Sequence, residues 1–315
     1  MLALLNIFVD NMIPVLAIAA VGVVLRRRLN VDPAMISRMM FYVFAPALAF
    51  DAVYTSDISG GDFLRVYFGT LALMAAVGAL AFLVLCWLKL AVSARRQISS
   101  REFATTLVAT FVFNGANFGL SIVSFAFGTV ALTYAVIIYI AGSTVAWTLG
   151  AYVSSRGAAP MLKSLCSILR TPVVYALALA LALKAAGFSD LPPALSRTSQ
   201  LLADASIPLM LVLLGLQLGG FRKPDRWRLL LSGAAIRLLL APLVAIVFAS
   251  LLSLDDAARS AFILQAGMPT AVLTLILAYE FDTDRDLALN LIMTTTLLSP
   301  ITLTVLIYLL QNGIV

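Results

Sequence analysis

The sequence predicts an all-α polytopic membrane protein of ten transmembrane helices, arranged as two inverted five-helix repeats. Three observations lead there. Of 315 residues, 62% are hydrophobic and 11% charged, against about 25% charged in a soluble globular chain. Ten apolar stretches come close to the roughly 20 residues that a bilayer crossing requires. The basic residues, finally, divide unevenly between the two sides that those crossings define.

The ten expected spans are 6–26, 34–54, 64–90, 103–125, 129–153, 171–187, 195–219, 227–252, 258–280 and 286–311. In the first, the apolar run 7–25 precedes Arg26, Arg27 and Arg28. A cleavable signal has its charges before the apolar segment, so a retained helix with its N-terminus outside is expected. With that orientation, 16 of the 21 basic residues fall on inner loops and helix ends. Only Arg65, Lys184, Arg197 and Arg259 fall outside, and Arg237 lies within a span. Cytoplasmic loops carry such an excess of Lys and Arg. The net charge of +6 is therefore a topology signal, and no nucleic-acid partner is inferred from it. The expected location is the cell inner (plasma) membrane, multi-pass, with both termini non-cytoplasmic.

The chain divides into a first repeat at 1–153, a cytoplasmic linker at 154–170 and a second repeat at 171–315. Five spans per half is odd, so the halves enter the membrane in opposite senses. They also share local marks. "PAMISR" (33–38) opens the second span and "PPALSR" (192–197) the seventh, and both spans then carry a proline, Pro46 and Pro208.

The fourth and ninth spans are each interrupted. "FNGANFGLS" (113–121) places Asn114, Gly115, Asn117 and Gly119 in an apolar run, and "QAGMPTAV" (265–272) places Gly267 and Pro269 in another. Proline inside a helix costs about 3 kcal/mol and glycine about 1 kcal/mol relative to alanine. Backbone released from a helix in lipid must be satisfied by protein or by a wet cavity. Interruptions at matching positions of two inverted halves point to a transporter's central site.

These stretches resemble the auxin efflux carrier family, which includes plant PIN-formed auxin exporters and bacterial malonate or other carboxylate transporters. "GVVLRRR" with "SRMMFYVFAPALAF", "NGANFGLS", "IPLMLVLLGLQL", "RLLLAPL" and "QAGMPTAVLTLILAYEFD" carry the likeness, in order along nearly the whole chain. Ala116 stands where the family often has Gly, and Ser121 where it usually has Pro. Thr274 lies close to the place where many bacterial members have Asn. The resemblance implies that the broken fourth and ninth helices cross near the membrane centre, as in bile-acid symporters and sodium/proton antiporters. It further implies a scaffold of spans 1, 2, 6 and 7, and a mobile bundle of spans 3–5 and 8–10 moving as an elevator. A homodimer through the scaffold is expected on the same ground.

At such a crossing, half-helix N-termini offer free N–H groups and partial positive charge to a carboxylate. Asn114 and Asn117 would add amide donors, while Gly115 and Gly119 let a ligand approach the backbone. Ser121 belongs to the same stretch. Gln265, Met268, Pro269, Thr270 and Thr274 would form the other half, with Gly267 and Pro269 chiefly shaping the break. The competing reading is that the asparagines only bind backbone freed within the break. Arg237, near mid-membrane, has three compatible roles: attracting an anionic substrate, pairing with a carboxylate, or snorkelling to the inner surface. Asp204, the deepest carboxylate, is a candidate proton-coupling group, or else a partner of Arg197 or a lining of the outer entrance.

With no histidine in the chain, His-dependent proteases and H-E-x-x-H metalloenzymes are excluded. No phosphate-binding G-x-x-x-x-G-K-[ST] loop is present either, and no cofactor or metal is expected. The expectation is a secondary carrier of small organic anions, with proton or sodium coupling open. The alternatives are an anion channel or a carrier of another solute.

Overall fold

The computed structural model describes residues 2–91, 98–157, 171–188, 190–218 and 226–315. The expected linker 154–170 lies mostly outside them, as do Arg95, Arg96, Lys163, Arg170, Arg222 and Lys223. The described residues form α1 (Leu2–Leu29), α2 (Pro33–Tyr54), α3 (Gly60–Ala91), α4 (Ser100–Phe111), α5 (Gly115–Ser154) and α6 (Pro172–Ala185). They continue with α7 (Pro193–Leu218), α8 (Trp227–Leu251), α9 (Asp256–Ala266), α10 (Leu273–Glu280) and α11 (Arg285–Gln311).

Seven of these are long and apolar enough to cross a membrane, namely α1, α2, α3, α5, α7, α8 and α11. α6 is apolar but has 14 residues. α5 has 40 residues, about 60 Å at 1.5 Å per residue, twice the hydrocarbon thickness of about 30 Å. It is bent at Gly128, whose φ of 75° and ψ of −165° suit a residue without Cβ. The fourth and ninth apolar stretches are not continuous helices: α4 and α9 stop short, and α5 and α10 resume after extended residues.

Local chemistry sets the ends. Asp32 accepts from the Ala34 N–H at 3.0 Å, and Pro33 follows at the first helical position of α2. Ser99 and Glu102 form a reciprocal capping box at α4, at 3.2 and 2.7 Å. Asp255 and Asp284 cap α9 and α11 by accepting from Ala258 and Leu287. Each such cap satisfies a donor that the helix leaves free. At the basic end, Arg226 ties Glu102 of α4 to the Asp284 cap of α11.

The helices pack in two groups that also touch each other, α1 against α11 and both α2 and α7 against α5. α1 lies on α7, and α2 on α6 and α7. α3, α4, α5, α8, α9 and α11 pack among themselves. Lipid tails are as apolar as leucine, so close packing and hydrogen bonds must drive helix association. The α1–α7 contact meets that need with small residues. A Cβ on Gly22 would sit 2.1 Å from the Val212 carbonyl oxygen, and one on Gly215 would sit 1.8 Å from that of Ala19. Both clashes are with backbone, which cannot step aside. Gly215→Val is therefore expected to cost at least the 1–3 kcal/mol typical of overpacking. Thermal unfolding of the purified variant measures it, and an unchanged melting point would contradict this packing. Ser206 adds a bond from α7 to the Phe44 carbonyl of α2 at 2.8 Å.

Candidate functional site at the helix crossing

Two extended breaks meet at the centre. After α4, Val112 takes φ −91° and ψ 104°, and Phe113 pairs antiparallel with Thr270. The Asn114 N–H donates to the Pro269 carbonyl at 2.7 Å, and the Ala271 N–H donates to the Val112 carbonyl at 3.0 Å. Each break thus supplies the hydrogen bonds that the other lost by leaving its helix, which removes the desolvation cost. Thr270 is held from three sides. Its hydroxyl donates to the Ala109 carbonyl at 2.8 Å, its N–H donates to the Thr295 hydroxyl at 3.1 Å, and Phe113 pairs with it.

Gln265 ties the crossing to the rest of α5. Its Nε2 donates to the Gly115 carbonyl at 3.3 Å and to the Ala135 carbonyl at 3.4 Å. It occupies a notch over Gly119, where a Cβ would stand 2.2 Å from the glutamine Oε1. Gly119→Ala is expected to eject Gln265 and destabilise the protein, and Gln265→Ala to relieve that clash in the double variant. A double-mutant cycle should show a coupling within the roughly 0.5–3 kcal/mol found for contacting residues. Additive single effects would contradict the notch.

Arg237 lies in a wide π-type turn of α8 at Ile236–Leu240 and is 2% exposed. It donates to the Thr110 carbonyl at 2.9 Å and to the Ala266 carbonyl, and its guanidinium stands 5.7 Å from the Phe113 ring centroid. Thr110 and Ala266 are in the last turns of α4 and α9. A helix C-terminus carries about −0.5 charge, so two of them offset one guanidinium. Among the described residues Arg237 meets no carboxylate, and its side chain does not reach the protein surface.

The opposite poles border a cavity of about 210 Å³. The starts of α5 (Gly115) and α10 (Leu273) both contribute to its wall; at α10 the Thr274, Leu275 and Ile276 N–H groups already donate to the Ala271 and Val272 carbonyls, and at α5 the Gly115 N–H donates to Phe113, so each start offers chiefly the positive end of its helix dipole. Asn114 is 4% exposed, lines the cavity, and has an Nδ2 with no hydrogen-bond partner. Phe41 of α2, Tyr139 and Trp147 of α5, and Met210 and Gln217 of α7 close the other sides. No Asp, Glu, Lys or Arg is among the described residues that line it.

Of the residues expected to meet substrate, Asn114, Gly115 and Asn117 are on the cavity wall. Gly119, Gln265, Pro269 and Thr270 build the crossing behind it. Met268 is fully buried, and Ser121 and Thr274 are buried hydroxyls with no partner. Arg237 stands behind Phe113, at the helix C-termini. Asp204 is exposed on α7 and interacts electrostatically with Asp51, which hydrogen-bonds Ser199; it is not on the cavity wall. Phe41, Tyr139, Trp147, Met210 and Gln217 were not anticipated. Only Gln217 had a signal, as the one amide in the apolar run "LMLVLLGLQL".

A protein of Methanothermobacter thermautotrophicus described as an "uncharacterized transporter" is 28% identical over 277 residues, covering 86% of this chain and 87% of that one. The model of the family described as "membrane transport protein" matches residues 7–307, in line with the resemblance read from the sequence. With broken, mutually paired helices around a cavity and a match over nearly its whole length, the chain belongs to the membrane transport protein family.

Proposed function

We propose that the protein is a secondary transporter of small organic anions, most simply carboxylates, which bind at the crossing of the fourth and ninth spans. One observation carries this reading. The two helix C-termini at the crossing have Arg237 as their counter-charge, whereas no acidic side chain is among the described residues that line the cavity at the two helix N-termini. An N-terminus carries about +0.5 charge, and Asn114 adds a buried donor without a protein acceptor. A carboxylate supplies both the charge and the acceptors.

The same reading takes the chain as ten spans in two inverted repeats, with the Arg-rich ends inside. The cavity lies between the α1/α2/α6/α7 group and the remaining helices, where relative movement of the groups would carry the site across the membrane. This suits elevator-type alternating access, with the first group as scaffold and as the surface of a homodimer. Ser37 and Phe41 near the start of α2, Gln217 near the end of α7 and Trp147 near the end of α5 line the cavity. On the orientation expected from the basic residues these positions lie toward the inner side, and on this reading the site faces inward.

Uptake of labelled mono- and dicarboxylates into proteoliposomes, with and without sodium and pH gradients, tests the proposal. Saturable uptake with counterflow of one acid class supports it. Single-channel currents would replace the carrier by a channel, and uptake of cations or neutral solutes alone would remove the anion assignment.

A further inference from the structure

Among the described residues of α3–α5 and α8–α11, Arg237 is the one charged side chain that lies away from a helix end. It stands ten residues into α8, about 15 Å along the axis, where the hydrocarbon layer measures about 30 Å across. Its bonds to the Thr110 and Ala266 carbonyls fasten it to α4 and α9, so it must move wherever the crossing moves. Phe113 borders both the guanidinium and the cavity. The charge is thus built into the same body as the candidate site, without touching what the site holds.

Helix poles come in opposite pairs and add no net charge to a body that moves as a whole. An arginine keeps its full positive charge. The helix group that holds the crossing therefore carries one positive charge at the depth where the membrane field falls. We propose that Arg237 is the fixed counter-charge of a transported monoanion. The loaded helix group crosses the field as a neutral body, and the membrane potential acts on the return of the empty one. This rests on the reading of the protein as an elevator-type carrier of organic anions. The charge moved per cycle is that of the acid; Arg237 decides which step moves it. A negative interior draws the guanidinium of the empty group inward, which returns the empty site to the inner side and favours export. No coupling cation is then needed to neutralise the acid on its way across.

The test compares two modes of transport in proteoliposomes whose potential is set by a potassium gradient and valinomycin. Labelled lactate, butyrate and phenylacetate are followed as net uptake into empty vesicles, and as exchange with the same acid saturating on both sides. Making the interior positive by about 100 mV should raise net uptake by about threefold or more, against a ceiling of about 50-fold, the factor that ~2.3 kcal/mol per charge supplies. Exchange should stay unchanged, because only neutral, loaded groups shuttle. Arg237→Lys keeps the charge and should keep this pattern. Arg237→Gln should make exchange depend on voltage, since its loaded group carries the bare charge of the acid. Where the Gln variant does not fold, the two wild-type rates decide. Exchange that follows voltage as steeply as net uptake would overturn the inference. Net uptake indifferent to voltage would do so too, because a cation must then accompany the acid. In both cases an acid is still carried, so the anion reading stands. If no acid is carried in either mode, the anion reading falls and this inference falls with it.

Discussion

Arg237→Met is expected to lower the melting temperature of the purified protein by on the order of 10 °C. The guanidinium serves two carbonyls, those of Thr110 and Ala266, in a region closed to water. Leaving each without its donor costs about 1–3 kcal/mol. For a large domain, each kcal/mol corresponds to roughly 2–4 °C. The ends of α4 and α9 would also repel one another once their shared counter-charge is gone. Arg237→Lys should recover part of the loss, since a compact ammonium lacks the planar fork that reaches both acceptors. Because Arg237 is not on the cavity wall, a folded Lys variant should bind substrate within a few-fold of wild type. A Lys variant with wild-type stability and a hundredfold higher KM would contradict this, and would place the guanidinium on the substrate instead.

The second large effect has the opposite signature. Asn114→Leu should abolish substrate binding while leaving the ligand-free protein as stable as before, or more so. In the structure, the Asn114 Nδ2 is buried without an acceptor, and replacing such a group by an apolar one of similar shape is near neutral or stabilising. The backbone of Asn114, which bonds Pro269 and accepts from the Gly119 N–H, is untouched by the change. Thermal melts with and without a transported acid separate the two effects. A variant that is unstable without ligand would mean that the side chain is part of the fold and not of the site.

Much of the architecture was legible because lipid demands a simple pattern. Apolar length gave the seven helices long enough to cross a membrane, and the glycines and asparagines of "FNGANFGLS" marked a break that the structure places at Val112–Asn114. Gly128, left between the fourth and fifth expected spans, is the bend within α5. The partners of that break were less visible. Arg237 had three open roles, and the one it takes, capping two helix C-termini, involves backbone carbonyls that leave no trace in residue identity. The fit of Gln265 over Gly119 depends on two helices crossing at a particular height, which no local spacing encodes. The cavity wall from α2 and α7 was missed for a related reason: Phe41 and Met210 look like any lipid-facing or packing residue until the helices are assembled. Thr270 and Pro269, expected to line the site, hold the crossing together.

The central claim is that the two helix N-termini and Asn114 bind a carboxylate group as such. Titration calorimetry of the purified protein, comparing a transported acid with its carboxamide, tests it most directly. The two ligands have the same shape and differ in charge and in their donor and acceptor groups. Saturable binding of the acid is expected, with no binding of the carboxamide and loss of acid binding in Asn114→Leu. Equal affinity for acid and carboxamide would contradict it, because a site built on helix N-termini must favour the anion.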